Sequence, residues 1–313
     1  MISSSNRNIG IDLARTIAIT GVVLVHSGGL ASGRFGVQLF FLVSGFLLAD
    51  QKQLSNLQFL IRRAFRLFPL YLTVFVIFYI RDYESILQAV VSICLLQNAL
   101  WLFNTFPGAW SISNEWIYSF LILPVQKLNR KKFLLILGIS WFSQFIASAF
   151  FYFWYPDPSQ DGLNYELVTW LTVLNPVINL VFLLIGIGLK NNMIPILKNK
   201  TIALLIILLS QFISIFFGRG FIFMYPIVLW AIFSLCIQTQ INSVFVKNLV
   251  NYIGLRTYGI FFMHFIVLRF IHSAVSELQI NPNLPFTKTV IFLITFFISA
   301  LFANFTWKII EKP

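Results

Sequence analysis

Apolar segments recur from Ile9 to Trp307 with only short polar breaks between them. They run approximately over 11–30, 36–49, 67–80, 86–103, 111–126, 133–154, 171–189, 201–217, 221–238, 253–273 and 288–307. A helix rises about 1.5 Å per residue and the hydrocarbon core of a bilayer is about 30 Å thick, so runs near this length predict spanning helices. The pattern predicts an all-α, polytopic membrane protein with a single membrane-embedded domain over 1–313 and no soluble domain.

Composition agrees: 58% of the residues are hydrophobic and 10% charged, against roughly 25% charged in soluble domains. A cleavable signal peptide is not expected. Asp12 and Arg15 interrupt the start of the first apolar segment, and no convincing small-residue cleavage site follows Gly28. Cys94 and Cys236 lie in apolar runs without acidic or histidine neighbours, which suits packing and offers no metal site.

The net charge of +12 is an orientation signal rather than a nucleic-acid footprint. With a cytoplasmic amino terminus, Lys52, Arg62, Arg63 and Arg66 fall inside, and so must the cluster Lys127, Arg130, Lys131 and Lys132. Three apolar segments separate these two clusters, so one of them does not cross. Segment 86–103 is that one, re-entrant or interfacial, because it carries Gln97 and Asn98 and ends in the polar turn Asn104–Gly108.

About ten transmembrane helices remain, with both termini cytoplasmic. Lys190, Lys198, Lys200, Lys247, Arg256, Lys308 and Lys312 are then inside, and the acidic loop Tyr155–Trp170 is outside. Only Arg34, Arg81, Arg219, Arg269 and Lys288 are basic residues on the outer side. The halves show no matching broken helices of the kind that marks many transporters.

An ionisable side chain in a spanning helix costs on the order of 2.5–3.5 kcal/mol on insertion scales, so each one calls for a reason. In IDLARTIAITGVVLVHSGG, Arg15 and His26 are eleven positions apart and share a helix face, about 16 Å apart along the axis. Asp12 is placed to pair with Arg15 at i, i+3. His26 either bonds a neighbouring helix or serves as a general base shielded from bulk water.

In FLIRRAFRLFPLY, Arg62, Arg63 and Arg66 gather at the inner face. Either this follows the positive-inside rule alone, or the guanidinium groups hold phosphates. Glu115, in PGAWSISNEWIYSFLILP, is the acidic residue in the interior of a predicted crossing. It either pairs with Arg15 or His26 and orients the imidazole, or neutralises an arginine. His264 is a second site candidate, and His272 suits the outer interface.

These residues together resemble the acyltransferase-3 family of integral membrane acyltransferases, over nearly the whole chain. Asp12, Arg15 and His26 are similar to the family's opening motif, and FGVQLFFLVSGFLLA, with Ser44, resembles its second-helix segment. IRRAFRLFPLY resembles its arginine motif. WSISNEWIYSFLILP resembles its Trp-Ser…Glu…Tyr…Pro segment, giving Trp110, Ser111, Glu115, Tyr118 and Pro124. RTYGIFFMHF, with Tyr258 and His264, and WKIIEKP, with Glu311 and Pro313, resemble its closing motifs. Asn114 and Trp116 depart from residues common beside the glutamate, and the form resembled is the stand-alone one, without an extracytoplasmic hydrolase-like domain.

The resemblance implies ten helices with cytoplasmic termini in a bacterial inner membrane. It implies transfer of an acyl group, commonly acetyl, from cytoplasmic acyl-CoA to a hydroxyl of a cell-envelope or secreted glycan, with acyl-CoA as co-substrate and no tightly bound cofactor. On this reading Arg62, Arg63, Arg66 and Ser44 serve the donor, whose pantetheine arm follows the Arg15 stripe. His26, Arg15, Glu115 and Asp12 carry the chemistry, with His26 either taking the proton of the acceptor hydroxyl or transiently carrying the acyl group, and Ser111, Tyr118, Tyr258 and His264 are further site residues. The expected partners are the lipid bilayer, acyl-CoA and a glycan or other hydroxyl acceptor, with no nucleic acid and no metal. The rival is a transporter or exporter that uses His26 and Glu115 for proton coupling.

Overall fold

The computed structural model describes residues 8–28, 35–49, 55–79, 85–100, 108–154, 174–217, 224–282 and 284–311. Among them the chain is helical and contains no strand. The helices are α1 (Ile9–His26), α2 (Gly36–Leu48), α3 (Asn56–Val74, extended by a π turn Phe75–Tyr79), α4 (Ile86–Ile93), α5 (Ala109–Val125) and α6 (Arg130–Trp154). They continue with α7 (Pro176–Lys190), α8 (Lys200–Phe217), α9 (Tyr225–Gln238), α10 (Val244–Glu277) and α11 (Pro285–Thr306, then a π turn Trp307–Glu311). Each apolar segment read from the sequence overlaps one of these helices.

Short polar residues start many of them by accepting an otherwise orphaned N–H. Asn8 caps α1 through Gly10 N at 2.9 Å, Ser85 caps α4 through Gln88 N at 3.2 Å, and Asn129 caps α6 through Lys132 N at 2.9 Å. Asn175 caps α7, with Pro176 following at the first helical position, where no N–H is needed.

Among the described residues four stretches are long and apolar enough to cross a membrane: Ile9–His26, Arg130–Ala149, Val244–Glu277 and Pro285–Glu311. Shorter apolar helices occupy Gly36–Leu48, Pro176–Lys190, Lys200–Ile213 and Tyr225–Gln238. Two boundaries differ from the sequence reading. Helix α3 begins at Asn56 rather than near 67, so the three arginines lie within it. Helix α10 begins at Val244 rather than near 253 and includes Lys247 and Arg256.

Segment 86–103 is broken. Its helix ends at Ile93 after eight residues, about 12 Å and too short to span alone. Leu95 then takes a left-handed φ of 57°. The turn Asn104–Pro107, the loop Tyr155–Trp170 and Pro313 lie outside the described residues.

The chain forms two compact units, each discontinuous in sequence. The first comprises Met1–Phe40, Phe68–Phe78 and Cys236–Pro313. Here α10 packs against both α1 and α11. Gly254 is a point of close contact with α1, where an added Cβ would come 2.7 Å from the Asp12 Cβ. Arg256 clasps α11: Nε and Nη2 donate to Asn304 Oδ1 at 3.0 and 2.8 Å, and the guanidinium stacks 3.8 Å over the Tyr252 ring.

The second unit comprises Phe41–Leu67 and Tyr79–Leu235. Helix α7 is its core, buried on nearly every side from Val181 to Leu189, as suits a helix that is apolar all round. Gly45 and Gly186 bring α2 and α7 together backbone to backbone. A Cβ on Gly45 would overlap the Leu183 carbonyl, and one on Gly186 the Leu42 carbonyl.

Candidate active site

In the first unit the polar stripe of α1 lies along one helix, as its spacing predicts. Asp12 is 1% exposed, and its Oδ1 is 3.8 Å from Arg15 Nη1. Thr16 donates to the Asp12 carbonyl at 2.8 Å and approaches the Val250 carbonyl at 3.4 Å, tying this turn to α10. His26 is the last residue of α1, and Ser27 closes the helix by donating its N–H to the Val23 carbonyl at 3.0 Å. The His26 ring is exposed among its neighbours.

Helix α10 brings His264 to His26. The two imidazole centroids are 5.4 Å apart with planes at 40°, and Phe265 meets His26 edge-on at 4.8 Å. His264 is fully buried. Its Nδ1 is 3.3 Å from the Ile260 carbonyl, and its Nε2 has no hydrogen-bond partner among the described residues. Tyr258 is half-buried and meets Phe262 edge-on at 5.1 Å. Glu311 accepts from Thr306 at 3.1 Å and packs over Gly259. His272 is exposed near the end of α10.

In the second unit Glu115 belongs to an arginine. Its Oε2 is 3.1 Å from Arg63 Nη2, and its Oε1 accepts from Ser44 at 3.1 Å. Arg63 Nε donates to Ser119 at 3.2 Å, and Ser119 donates to the Glu115 carbonyl at 2.9 Å. Arg63 is 5% exposed and Glu115 17%. The contact with Arg63 corresponds to one of the roles open to Glu115 in the sequence, that of neutralising an arginine. Ser119 completes the cluster, and its position one helical turn after Glu115 is the signal that could have found it.

The neighbouring cations differ from Arg63. Arg62 and Arg66, four positions apart on α3, are both exposed. Ser111 is buried and donates to the Gly108 carbonyl at 2.9 Å, at the left-handed start of α5. Tyr118 is buried and donates to the Pro176 carbonyl at 2.7 Å, so its hydroxyl joins α5 to α7.

A network beside these residues was only half visible in the sequence. Asn98 Nδ2 is 2.9 Å from the Trp110 carbonyl and 2.9 Å from Asn114 Oδ1. Asn114 donates to the Leu174 carbonyl at 2.8 Å. Ser113 donates to the Leu95 carbonyl at 2.8 Å. Gln97 Nε2 donates to the Ala109 carbonyl at 3.3 Å, so α5 pairs Asn98, the Leu95 carbonyl and the donor side of Gln97, while Gln97 Oε1 has no partner among the described residues.

A family model described as an acyltransferase domain matches residues 8–305. Proteins of Staphylococcus aureus strains COL, MSSA476 and MRSA252, each named "Putative O-acetyltransferase", are 26% identical over 355 aligned residues. The alignments take in 97% of this chain and 56% of theirs, so the chain spans little more than half the length of these relatives. No solved structure matches it. The matched span runs from the cap of α1 almost to the end of α11 and includes the Asp12–Arg15–His26 stripe, the arginines of α3, Glu115 and His264; the chain belongs to the acyltransferase-3 family and carries its acyltransferase domain.

Proposed function

We propose that this protein is a membrane O-acyltransferase that moves an acyl group, commonly acetyl, from cytoplasmic acyl-CoA to a hydroxyl of a cell-envelope or secreted glycan. In this reading ten helices cross a bacterial inner membrane with both termini cytoplasmic. The observation that carries it is the histidine at the end of the α1 stripe, His26, beside the buried His264, in a chain of an acyltransferase family.

The acceptor hydroxyl oxygen attacks the thioester carbonyl carbon while His26 takes the hydroxyl proton. The carbon–sulfur bond breaks, an ester forms, and the CoA thiolate leaves with the proton returned from His26. Arg62 and Arg66, exposed at i, i+4 on α3, hold phosphates of the donor, since guanidinium forks match phosphate geometry. Arg63, buried against Glu115, keeps α3 and α5 in register beneath them and serves the donor indirectly. The names of the staphylococcal relatives agree with acetyl as the group moved.

The test is transfer of radiolabelled acetyl from acetyl-CoA to isolated envelope glycan by the purified full chain in liposomes. Labelled glycan with wild type, and none with His26→Ala at equal protein level, is the expected result. Full activity of His26→Ala overturns the assignment of the base. Glycan moved across the bilayer without label would mark an exporter instead.

A further inference from the structure

The hydrogen bonding of His264 says more than its position does. Its Nδ1 faces the Ile260 carbonyl one turn earlier on α10, at 3.3 Å. A carbonyl can only accept, so this contact places the proton on Nδ1 and leaves Nε2 with a bare lone pair. That lone pair is fully buried and has no partner among the described residues. An unpartnered buried acceptor is costly, so it marks a place where a donor belongs.

The surroundings narrow the choice of donor. Phe261 and Phe265 line the ring, with centroids 5.7 and 3.9 Å away; their side chains carry no hydrogen-bonding group, and the Phe261 backbone group that meets the ring is, like that of Ile260, an acceptor of its proton. His26, with its centroid at 5.4 Å, is the neighbouring ring that has N–H to offer. Contacts of this kind are often long without substrate and tighten when it binds.

We infer that His264 is the positioning residue for His26: its Nε2 accepts the N–H of one His26 ring nitrogen, which leaves the other bare and facing the reacting hydroxyl. This rests on the reading of His26 as the base. When His26 takes the acceptor's proton it becomes a cation, and the hydrogen bond to His264 holds that cation in place until the proton passes to the thiolate. No net proton reaches His264. The arrangement gives a base oriented by a third group through its far nitrogen, with a neutral imidazole in the place where a carboxylate often stands. Among the described residues of this unit, Asp12 faces Arg15 and Glu311 accepts from Thr306.

Three histidines in the chain make this testable by 15N-histidine NMR of the full protein in detergent. His264→Phe removes the acceptor and keeps a flat ring, and His264→Gln restores an acceptor oxygen. The inference expects His26 in a single neutral tautomer in wild type, a tautomer mixture in His264→Phe, and a return toward one tautomer in His264→Gln. The exposed His272 signal should stay fixed throughout, as a control for folding. Acyl transfer should fall about a hundredfold in kcat for His264→Phe, the scale of one general-base contribution, with KM for acetyl-CoA unchanged and partial rescue by His264→Gln. An unchanged His26 signature in His264→Phe overturns the inference whatever the activity, as does loss of activity that His264→Gln fails to rescue. Should His26→Ala retain activity while the tautomer of His26 responds to His264, the pairing stands and the base is elsewhere.

Discussion

Arg63 and Glu115 meet at 3.1 Å, with Ser44 on the second carboxylate oxygen and Ser119 on the arginine Nε. The pair joins α3 to α5 where both are largely out of solvent. Removing one partner of such a pair strands the other charge, at a cost of about 3–5 kcal/mol. Glu115→Ala and Arg63→Ala should each lower the thermal midpoint in detergent markedly. The double variant Arg63→Met, Glu115→Leu should recover most of the loss, because no buried charge is left behind. Single variants that melt with wild type would show that the pair carries no stability.

Arg62 and Arg66 should behave in the opposite way. Both are exposed, so Arg62→Ala and Arg66→Ala should leave the melting midpoint nearly unchanged. If they hold the donor's phosphates, each should weaken acyl-CoA binding by about tenfold or more, the scale of a charged hydrogen bond, and the loss should shrink at high salt. Calorimetric titration with acetyl-CoA at two ionic strengths checks this. Affinity unaffected by both substitutions would place the donor phosphates away from these guanidinium groups.

The contrast among these arginines shows where the sequence stops being legible. Adjacent positions on a helix differ by about 100°, so Arg62 and Arg63 look alike in composition while one is exposed and the other buried. The rotation of α3 about its axis decides which, and that depends on packing against α5. Helix existence was legible because hydrophobicity is local: an apolar run reads the same before and after folding. The starts of α3 and α10 were not, since Asn56–Arg66 and the stretch from Val244 to Tyr252 mix polar and apolar residues and lower the local hydropathy without breaking the helix. The Arg15–His26 stripe was legible because both residues sit on one helix. The approach of His264 to His26 was not, because it is made by residues far apart in sequence.

Gly254 sets the distance between the two helices that carry those histidines. An added Cβ would lie 2.7 Å from the Asp12 Cβ and 3.0 Å from its Oδ1, so α1 or the Asp12 side chain would have to move. Gly254→Val should cost about 1–3 kcal/mol through overpacking and reduce acyl transfer by separating His26 from His264, with Gly254→Ala intermediate. Gly138, on α6, has nothing within 4 Å of an added Cβ, and Gly138→Ala should be neutral or stabilising by up to about 1 kcal/mol. Equal melting of the Gly254→Val and Gly138→Ala proteins would remove the steric argument.

Asn114 ties α5 to the turn after α4 and to Leu174, just ahead of α7. Its Oδ1 accepts from Asn98 at 2.9 Å and its Nδ2 donates to the Leu174 carbonyl at 2.8 Å. Asn98 reaches the same carbonyl at 3.2 Å and the Trp110 carbonyl at 2.9 Å. Asn114→Leu fills a similar volume but takes away one of the two donors to the Leu174 carbonyl and one of the three acceptors of the Asn98 amide, at about 0.5–1.5 kcal/mol for each hydrogen bond lost. The turn after α4 depends most on this network, since Leu95 is held in a left-handed conformation that a β-carbon disfavours. Hydrogen exchange in detergent should therefore quicken first at the amides of residues 95–100, while α7 from Val181 to Leu189, buried by apolar contacts, keeps its protection. Uniform exchange across both regions in Asn114→Leu would mean that the turn after α4 is held by its apolar contacts and not by the asparagine pair.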